Sequence, residues 1–195
     1  MNTELCFGQR IDPELGILEP WYTNPAMDRI KQMDLSGKVV VEWGGGASTV
    51  WWRKKSKLVF TVDHNKEWAD WISQELEKNG LLGRGEMKGE VKYIPTHEGD
   101  HSGTQDEYVK HIYGFSPDIC IVDGIHRYEC AEYAVKVLKP EILIVDNHNQ
   151  DYVFMCPKLD ELLEGVKMER FIQPDHRDHS GNPWATAIFY LNEKA

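Results

Sequence analysis

Short runs of apolar, largely β-branched residues recur along the chain, separated by longer stretches with a helical apolar pattern. The runs Val39 to Glu42, Leu58 to Asp63, Val91 to Ile94, Ile119 to Asp123 and Ile142 to Asp146 predict five strands. Ser48 to Lys55, Trp68 to Asn79, Asp106 to Tyr113 and Tyr128 to Leu138 predict the helices between them. Near-continuous apolar strands alternating with helices mark a parallel sheet covered on both faces. The predicted class is therefore α/β, a Rossmann-like doubly wound sheet, mainly parallel.

Local signals extend the pattern at both ends. Asn24-Pro25 reads as a cap followed by a first-turn proline, which predicts a helix over Pro25 to Met33. Asn79-Gly80 is a helix stop, since glycine readily takes the left-handed cap. After the fifth strand come a helix, Lys158 to Glu164, and two strands, Met168 to Ile172 and Ala185 to Leu191. The link from Gln173 to Pro183 is too short for a crossover helix, so these two strands should form an antiparallel C-terminal pair. Gly83 to Gly89 reads as a connector. With no repeat or second domain visible, residues 1–195 read as a single domain, with 1–35 as an N-terminal cap or lid extension.

Composition narrows the partners. A formal charge of -10 argues against a phosphate-backbone ligand, so no nucleic-acid partner is expected. The basic run Arg53 to Lys57 is better read as the solvated end of a helix, where cations suit the dipole. No apolar stretch approaches the ~20 residues of a membrane span, and the N-terminus lacks a basic-then-apolar leader pattern. A cytoplasmic protein with a small-molecule substrate and no membrane partner is expected, with a homodimer left open. Cys6, Cys120, Cys130 and Cys156 are far apart and form no Cys-x-x-Cys pair, so reduced thiols are expected rather than a disulfide framework.

The chemistry concentrates at strand ends. Val39 to Thr49 is a β-branched strand, a carboxylate and a glycine turn leading into a helix, where main chain can approach a ligand closely. Asp63, nineteen residues beyond Gly44, is placed to meet the ribose hydroxyls of a nucleoside cofactor. Ligands of such sheets sit beyond the carboxyl ends of the strands, where Glu42, Asp63, Asp123, Asp146 and Asn147 are all predicted. Asp123, Asp146 and Asn147, on adjacent strand ends, form a hard oxygen set suited to Mg²⁺ or Ca²⁺. An Asx turn is the plain alternative for Asp146 and Asn147.

Glu42-Trp-Gly44-Gly-Gly46-Ala-Ser48-Thr49, Val62-Asp63, Asp118 to Asp123 and the terminal strand pair together resemble the class I S-adenosylmethionine-dependent methyltransferases. The resemblance runs from the first strand to the C-terminus. It implies that Glu42, Gly44, Gly46 and Asp63 contact the cofactor, with Gly45, Ser48 and Asp123 among the cofactor-binding residues. Asp123, Asp146 and Asn147 are also similar to the metal set of divalent-cation-dependent O-methyltransferases, and Asp123 to His126 resembles a related group acting on sugars and antibiotic scaffolds. Ser48 replaces the usual third glycine, and Lys139-Pro140-Glu141 stands where Pro-Gly-Gly is familiar. In a dinucleotide motif starting at Gly44 the third glycine position would be Thr49, which favours S-adenosylmethionine over NAD.

Among eight histidines, His126 and His148 flank the predicted site, and His97, His101, His176 and His179 lie in loops near it. His126 is the expected general base, with Asp123 its catalytic partner. Trp43 and Tyr22 are possible walls of the ligand site; the other tryptophans are expected in packing. The expected activity is O-methylation of a small-molecule hydroxyl, with S-adenosylmethionine as donor and Mg²⁺ as a further cofactor. A metal-independent methyltransferase, a dinucleotide-dependent oxidoreductase and a non-catalytic nucleoside-binding module are the alternatives.

Overall fold

The computed structural model describes residues 9–82, 90–96, 103–148, 155–177 and 183–195. The Gly83 to Gly89 connector, Cys6, His97, His101 and His179 lie outside them, as does the side chain of His176.

The chain opens with a small hairpin, β1 (Ile11–Asp12) and β2 (Ile17–Leu18), followed by α1 (Asn24–Ile30). Then come β3 (Val39–Trp43), α2 (Ala47–Lys55), β4 (Leu58–Asp63), α3 (Lys66–Lys78) and β5 (Glu90–Tyr93). The second half holds α4 (Gly103–Lys110), β6 (Ile119–Val122), α5 (Arg127–Tyr133) and β7 (Ile142–Asp146). It closes with α6 (Met155–Leu162), β8 (Val166–Arg177) and β9 (Pro183–Lys194). The seven-stranded sheet runs β5-β4-β3-β6-β7-β9-β8. Its first five strands pair in parallel, while β9 pairs antiparallel with both β7 and β8. The doubly wound sheet with an antiparallel C-terminal pair is thus as expected, and β9 enters between β7 and β8.

The two-residue period of the strands divides the core. Val41, Trp43, Phe60, Val62, Cys120, Val122, Leu143 and Val145 pack against Tyr108 of α4 and Ile112 just after it, Cys130 and Ala131 of α5, and Leu159 of α6. Val40, Val59, Ile119, Ile121 and Ile144 pack the other face against Tyr22, Met27, Ile30, Trp51 and Trp52. Trp43, Trp51 and Trp52 are all fully buried, so the aromatic weight of the N-terminal half is mostly core.

Several boundaries differ from the sequence reading. Thr23, not Asn24, caps α1, and it makes no side-chain cap bond. The Asn24 amide instead donates to Gln173 Oε1 at 2.7 Å. The helix ends at Ile30, and the next residues close into tight turns, Met33 donating to the Ile30 carbonyl. The N-terminal extension contains the β1–β2 hairpin, held to α2 by Trp51 Nε1 donating to Asp12 Oδ2 at 2.7 Å. α3 has the expected stop, with Asn79 as its cap and Gly80 at φ +67°. The predicted helix Tyr128 to Leu138 is divided: α5 passes into a π-helical turn over Ala134–Leu138. Cys120, Cys130 and Cys156 are buried. Among the described residues no helix is long and apolar enough to cross a membrane.

Candidate functional site

The strand order reverses direction between β3 and β6, and open α/β sheets bind ligands at the carboxyl ends flanking such a point. There the glycine turn after β3 meets the loop after β6, main chain against main chain. Gly44 sits at φ +83°, and a Cβ on it would lie 2.3 Å from the Cα and N of Gly124. The turn is pinned on both sides: the Gly44 amide donates to the Val62 carbonyl at 2.8 Å, and the Asp123 amide to the Trp43 carbonyl at 2.9 Å. A Cβ on Gly46 would meet only the Trp68 ring, at 3.5 Å or more, so that part of the turn keeps an open side.

Glu42 lies one residue inside the end of β3, and strand alternation turns it towards α2 rather than outward. Its neighbour in register is Thr61. Glu42 Oε2 accepts from Thr49 Oγ1 at 2.6 Å and Thr61 Oγ1 at 3.0 Å, while the buried Oε1 has no hydrogen-bond partner. Burial pushes the Glu42 carboxyl up to about 7, against the pull of the Ser48, Thr49 and Thr61 hydroxyls. Asp63, at the end of β4, is also buried and raised by desolvation. Its oxygens accept from the amides of Gly45 at 2.9 Å and Asn65 at 2.8 Å. The glycine turn is therefore gripped by the second strand's carboxylate, and Trp68 Nε1 adds a bond to the Gly45 carbonyl.

On the other side of the crevice, Asp123 follows β6 with its side chain 26% exposed. Burial first, then the charge of Asp146, holds it well above the usual carboxylate range; Glu42 and Asp63 add to the effect and Arg127 opposes it. Asp146 is raised to about 6, chiefly by burial. It faces Thr186 across the β7–β9 ladder. Oδ1 accepts from Thr186 Oγ1 at 2.6 Å and Oδ2 from Trp184 Nε1 at 3.1 Å. Asn147 is half-buried with φ +53°, a left-handed turn that ends the strand.

Of the expected metal set, Asp146 is turned into β9 with a hydrogen bond at each oxygen. Among the described residues no group of three or more His, Cys, Asp or Glu could hold an ion. Arg127, which the sequence reading passed over, reaches between the ends of β6 and β7. Nε donates to the Gly124 carbonyl at 2.8 Å, Nη2 to the Asp123 carbonyl at 2.9 Å, and Nη1 to the Asp146 carbonyl. Its sequence signal was slight: a basic residue four after Asp123, opening a helix.

His126 is 6% exposed and caps α5 at φ +51°. Its Nε2 lies 3.1 Å from Thr96 Oγ1, and Tyr108 meets its ring edge-on at 6.1 Å. That places it under the rim, against the β5–α4 side. His148 is buried too, with Nε2 3.2 Å from Asp160 Oδ1, and burial lowers its basicity. Trp43 donates from Nε1 to the Val109 carbonyl at 3.3 Å, and the Tyr22 hydroxyl accepts from Trp52 Nε1 at 3.3 Å. Both are buried, so neither forms a wall of an open ligand site.

No family model and no curated protein matches the chain. Solved structures do match. A methyltransferase-like protein of Silicibacter pomeroyi superposes with a TM-score of 0.57 at 21% identity, over 86% of this chain and 87% of that one. Precorrin 8W decarboxylase of Methanobacterium thermoautotrophicum gives 0.58 at 17% identity, over 92% and 94%. TrmK of M. capricolum, solved with the cofactor product S-adenosyl-homocysteine, gives 0.58 at 12% identity, over 87% and 69%. The protein has the Rossmann-like fold of the class I S-adenosylmethionine-dependent methyltransferases.

Proposed function

We propose that the protein is an S-adenosylmethionine-dependent methyltransferase acting on a hydroxyl of a small molecule. The observation that carries this reading is the meeting of a glycine turn with Asp123, whose carboxyl feels the charges of Asp146, Glu42 and Asp63, at the point where the sheet reverses. Such a rim favours a ligand carrying positive charge beside a ribose, as a sulfonium amino acid nucleoside does. The unpartnered Oε1 of Glu42 offers a buried acceptor behind the turn. When bound, S-adenosylmethionine supplies an electrophilic methyl group for in-line displacement.

The chain's own groups take the remaining roles. Gly44, Gly45 and Gly46, with Ser48 opening α2, let main chain line the donor, and Asp63 faces its ribose hydroxyls. Asp123, the most open of the four carboxylates, receives the acceptor's proton at its side-chain oxygens. His126 shapes the pocket through Thr96 and Tyr108. Positioning supplies most of the acceleration.

Some solved neighbours are RNA enzymes, among them an rRNA methylase and a tRNA m1G37 methyltransferase. The net charge of -10 favours a small acceptor here. Cys120 and Cys130, buried free thiols, suit a reducing cytoplasm. Against a dinucleotide oxidoreductase stands Thr49, whose hydroxyl is bonded to Glu42 where that motif uses glycine for close packing. Calorimetry with S-adenosylmethionine, S-adenosylhomocysteine and NAD tests the reading. Binding of the first two and not the third is expected; folded protein that binds neither sulfur nucleoside refutes it.

A further inference from the structure

The resemblance to cation-dependent enzymes leads one to expect an ion between the ends of β6 and β7, and a side chain already holds that place. Arg127 is the first residue of α5 and folds back over both strand ends, its side chain only 11% exposed. Three main-chain carbonyls, of Asp123, Gly124 and Asp146, accept its N–H groups. Asp123 Oδ1 stands 3.5 Å from Nη2. Oxygen atoms of this kind, carbonyl and carboxylate, are the donors a hard divalent ion selects. Here they converge on a planar, permanently charged fork instead.

We propose that Arg127 is a built-in cation: its guanidinium takes the place of the expected divalent ion and positions the Asp123 carboxylate at the rim. The difference is one of charge as well as geometry. A dication among Glu42, Asp63, Asp123 and Asp146 would cancel much of their field, whereas one guanidinium leaves the rim negative towards a cationic donor. The fork also ties two strand ends together, because two carbonyls following β6 and one at the end of β7 share one rigid group. Arg127 is a positioning residue, acting on substrate only through Asp123. Only that last role rests on the methyl-transfer reading; the occupation of the ion's place does not.

The test compares wild type, Arg127→Ala and Arg127→Lys, using Mn²⁺ followed by electron paramagnetic resonance and S-adenosylhomocysteine followed by calorimetry. Wild type should bind no stoichiometric Mn²⁺. Arg127→Ala should acquire a Mn²⁺ site that disappears when Asp123→Asn is added. Its affinity for S-adenosylhomocysteine should fall about tenfold or more and recover when low guanidinium chloride is supplied. Arg127→Lys keeps the charge but cannot span three carbonyls, so it should also bind the nucleoside more weakly. It serves as the deciding variant if the alanine protein does not fold. A stoichiometric Mn²⁺ site in wild type that Asp123→Asn abolishes would overturn the proposal. So would an Arg127→Ala protein that neither gains Mn²⁺ nor responds to guanidinium, or an Arg127→Lys protein with wild-type nucleoside affinity. Wild type that fails to bind S-adenosylhomocysteine would sink the methyl-transfer reading, while the Mn²⁺ arms would still judge Arg127.

Discussion

Replacing Gly44 by alanine separates the turn's structural role from its role in binding. The new Cβ would lie 2.3 Å from two main-chain atoms of Gly124 and 2.7 Å from the Asp123 carbonyl carbon, and no rotamer relieves a clash with backbone. The turn cannot slide away, since Gly44 N and Asp123 N are both tied into neighbouring strand ends. A side chain at φ +83° adds left-handed strain of about 1–2 kcal/mol, and overpacking adds about 1–3 kcal/mol. Together they give about 2–5 kcal/mol, or about 4–20 °C in Tm for a chain of this size. Gly46→Ser is the control: its φ of 171° is extended backbone, its Cβ meets only the Trp68 ring, and serine is a good helix cap. It should unfold within about 0.5 kcal/mol of wild type yet bind S-adenosylhomocysteine more weakly, because its side chain enters the open side of the turn. Urea melts and calorimetry on the same preparations decide the matter. Equal stability of Gly44→Ala and wild type would refute the contact argument, and unchanged affinity in Gly46→Ser would refute the idea that ligand approaches there.

Other consequences follow from the buried acids. Glu42 has a folded pKa of about 7 against an ordinary 4.5, so the folded state holds its proton more tightly. Its contribution is fully present below about pH 4.5 and is lost as pH rises through about 7, a change on the order of 3 kcal/mol. Urea midpoints measured across that window should fall less steeply in Glu42→Gln than in wild type; parallel curves would contradict the shift. Thr186→Val removes the hydroxyl that accepts from the Thr23 amide at 3.0 Å and donates to Asp146. Two buried groups lose a partner, so thermal melts should report about 2–4 kcal/mol of destabilisation, with Thr186→Ser restoring most of it. Asp63→Ala leaves the Gly45 and Asn65 amides without their acceptor and should cost about 1–3 kcal/mol in a urea melt. A variant as stable as wild type would show that those two bonds are not what holds the turn.

The central parallel strands were legible because each is a mostly apolar run bounded by a turn residue, and β4 and β7 fall where the sequence places them. The β1–β2 hairpin was not, since two-residue strands carry no period; only Asp12-Pro13 and Gly16 hinted at the turn. The positions of Glu42, Asp63, Asp123 and Asp146 at strand ends were also readable, but not the directions of their side chains. Pairing β8 with β9 could be argued from loop length. Placing β9 beside β7 could not, and that placement sets Thr186 opposite Asp146 and turns the carboxylate away from the rim. Arg127 was invisible for a similar reason: a long side chain reaching back across two loops leaves no spacing rule in the sequence.

The insertion of β9 between β7 and β8 also dictates an order of assembly. A ribosome releases β8 first, yet β8 has no place beside β7 until the strand that separates them exists. Until then β7 is a bare sheet edge, and Asp146 lacks the Thr186 and Trp184 donors that make its burial tolerable. β9 thus closes the sheet and quenches a buried acid in one step. The half of the crevice built on β7 matures only after β9 has emerged and paired.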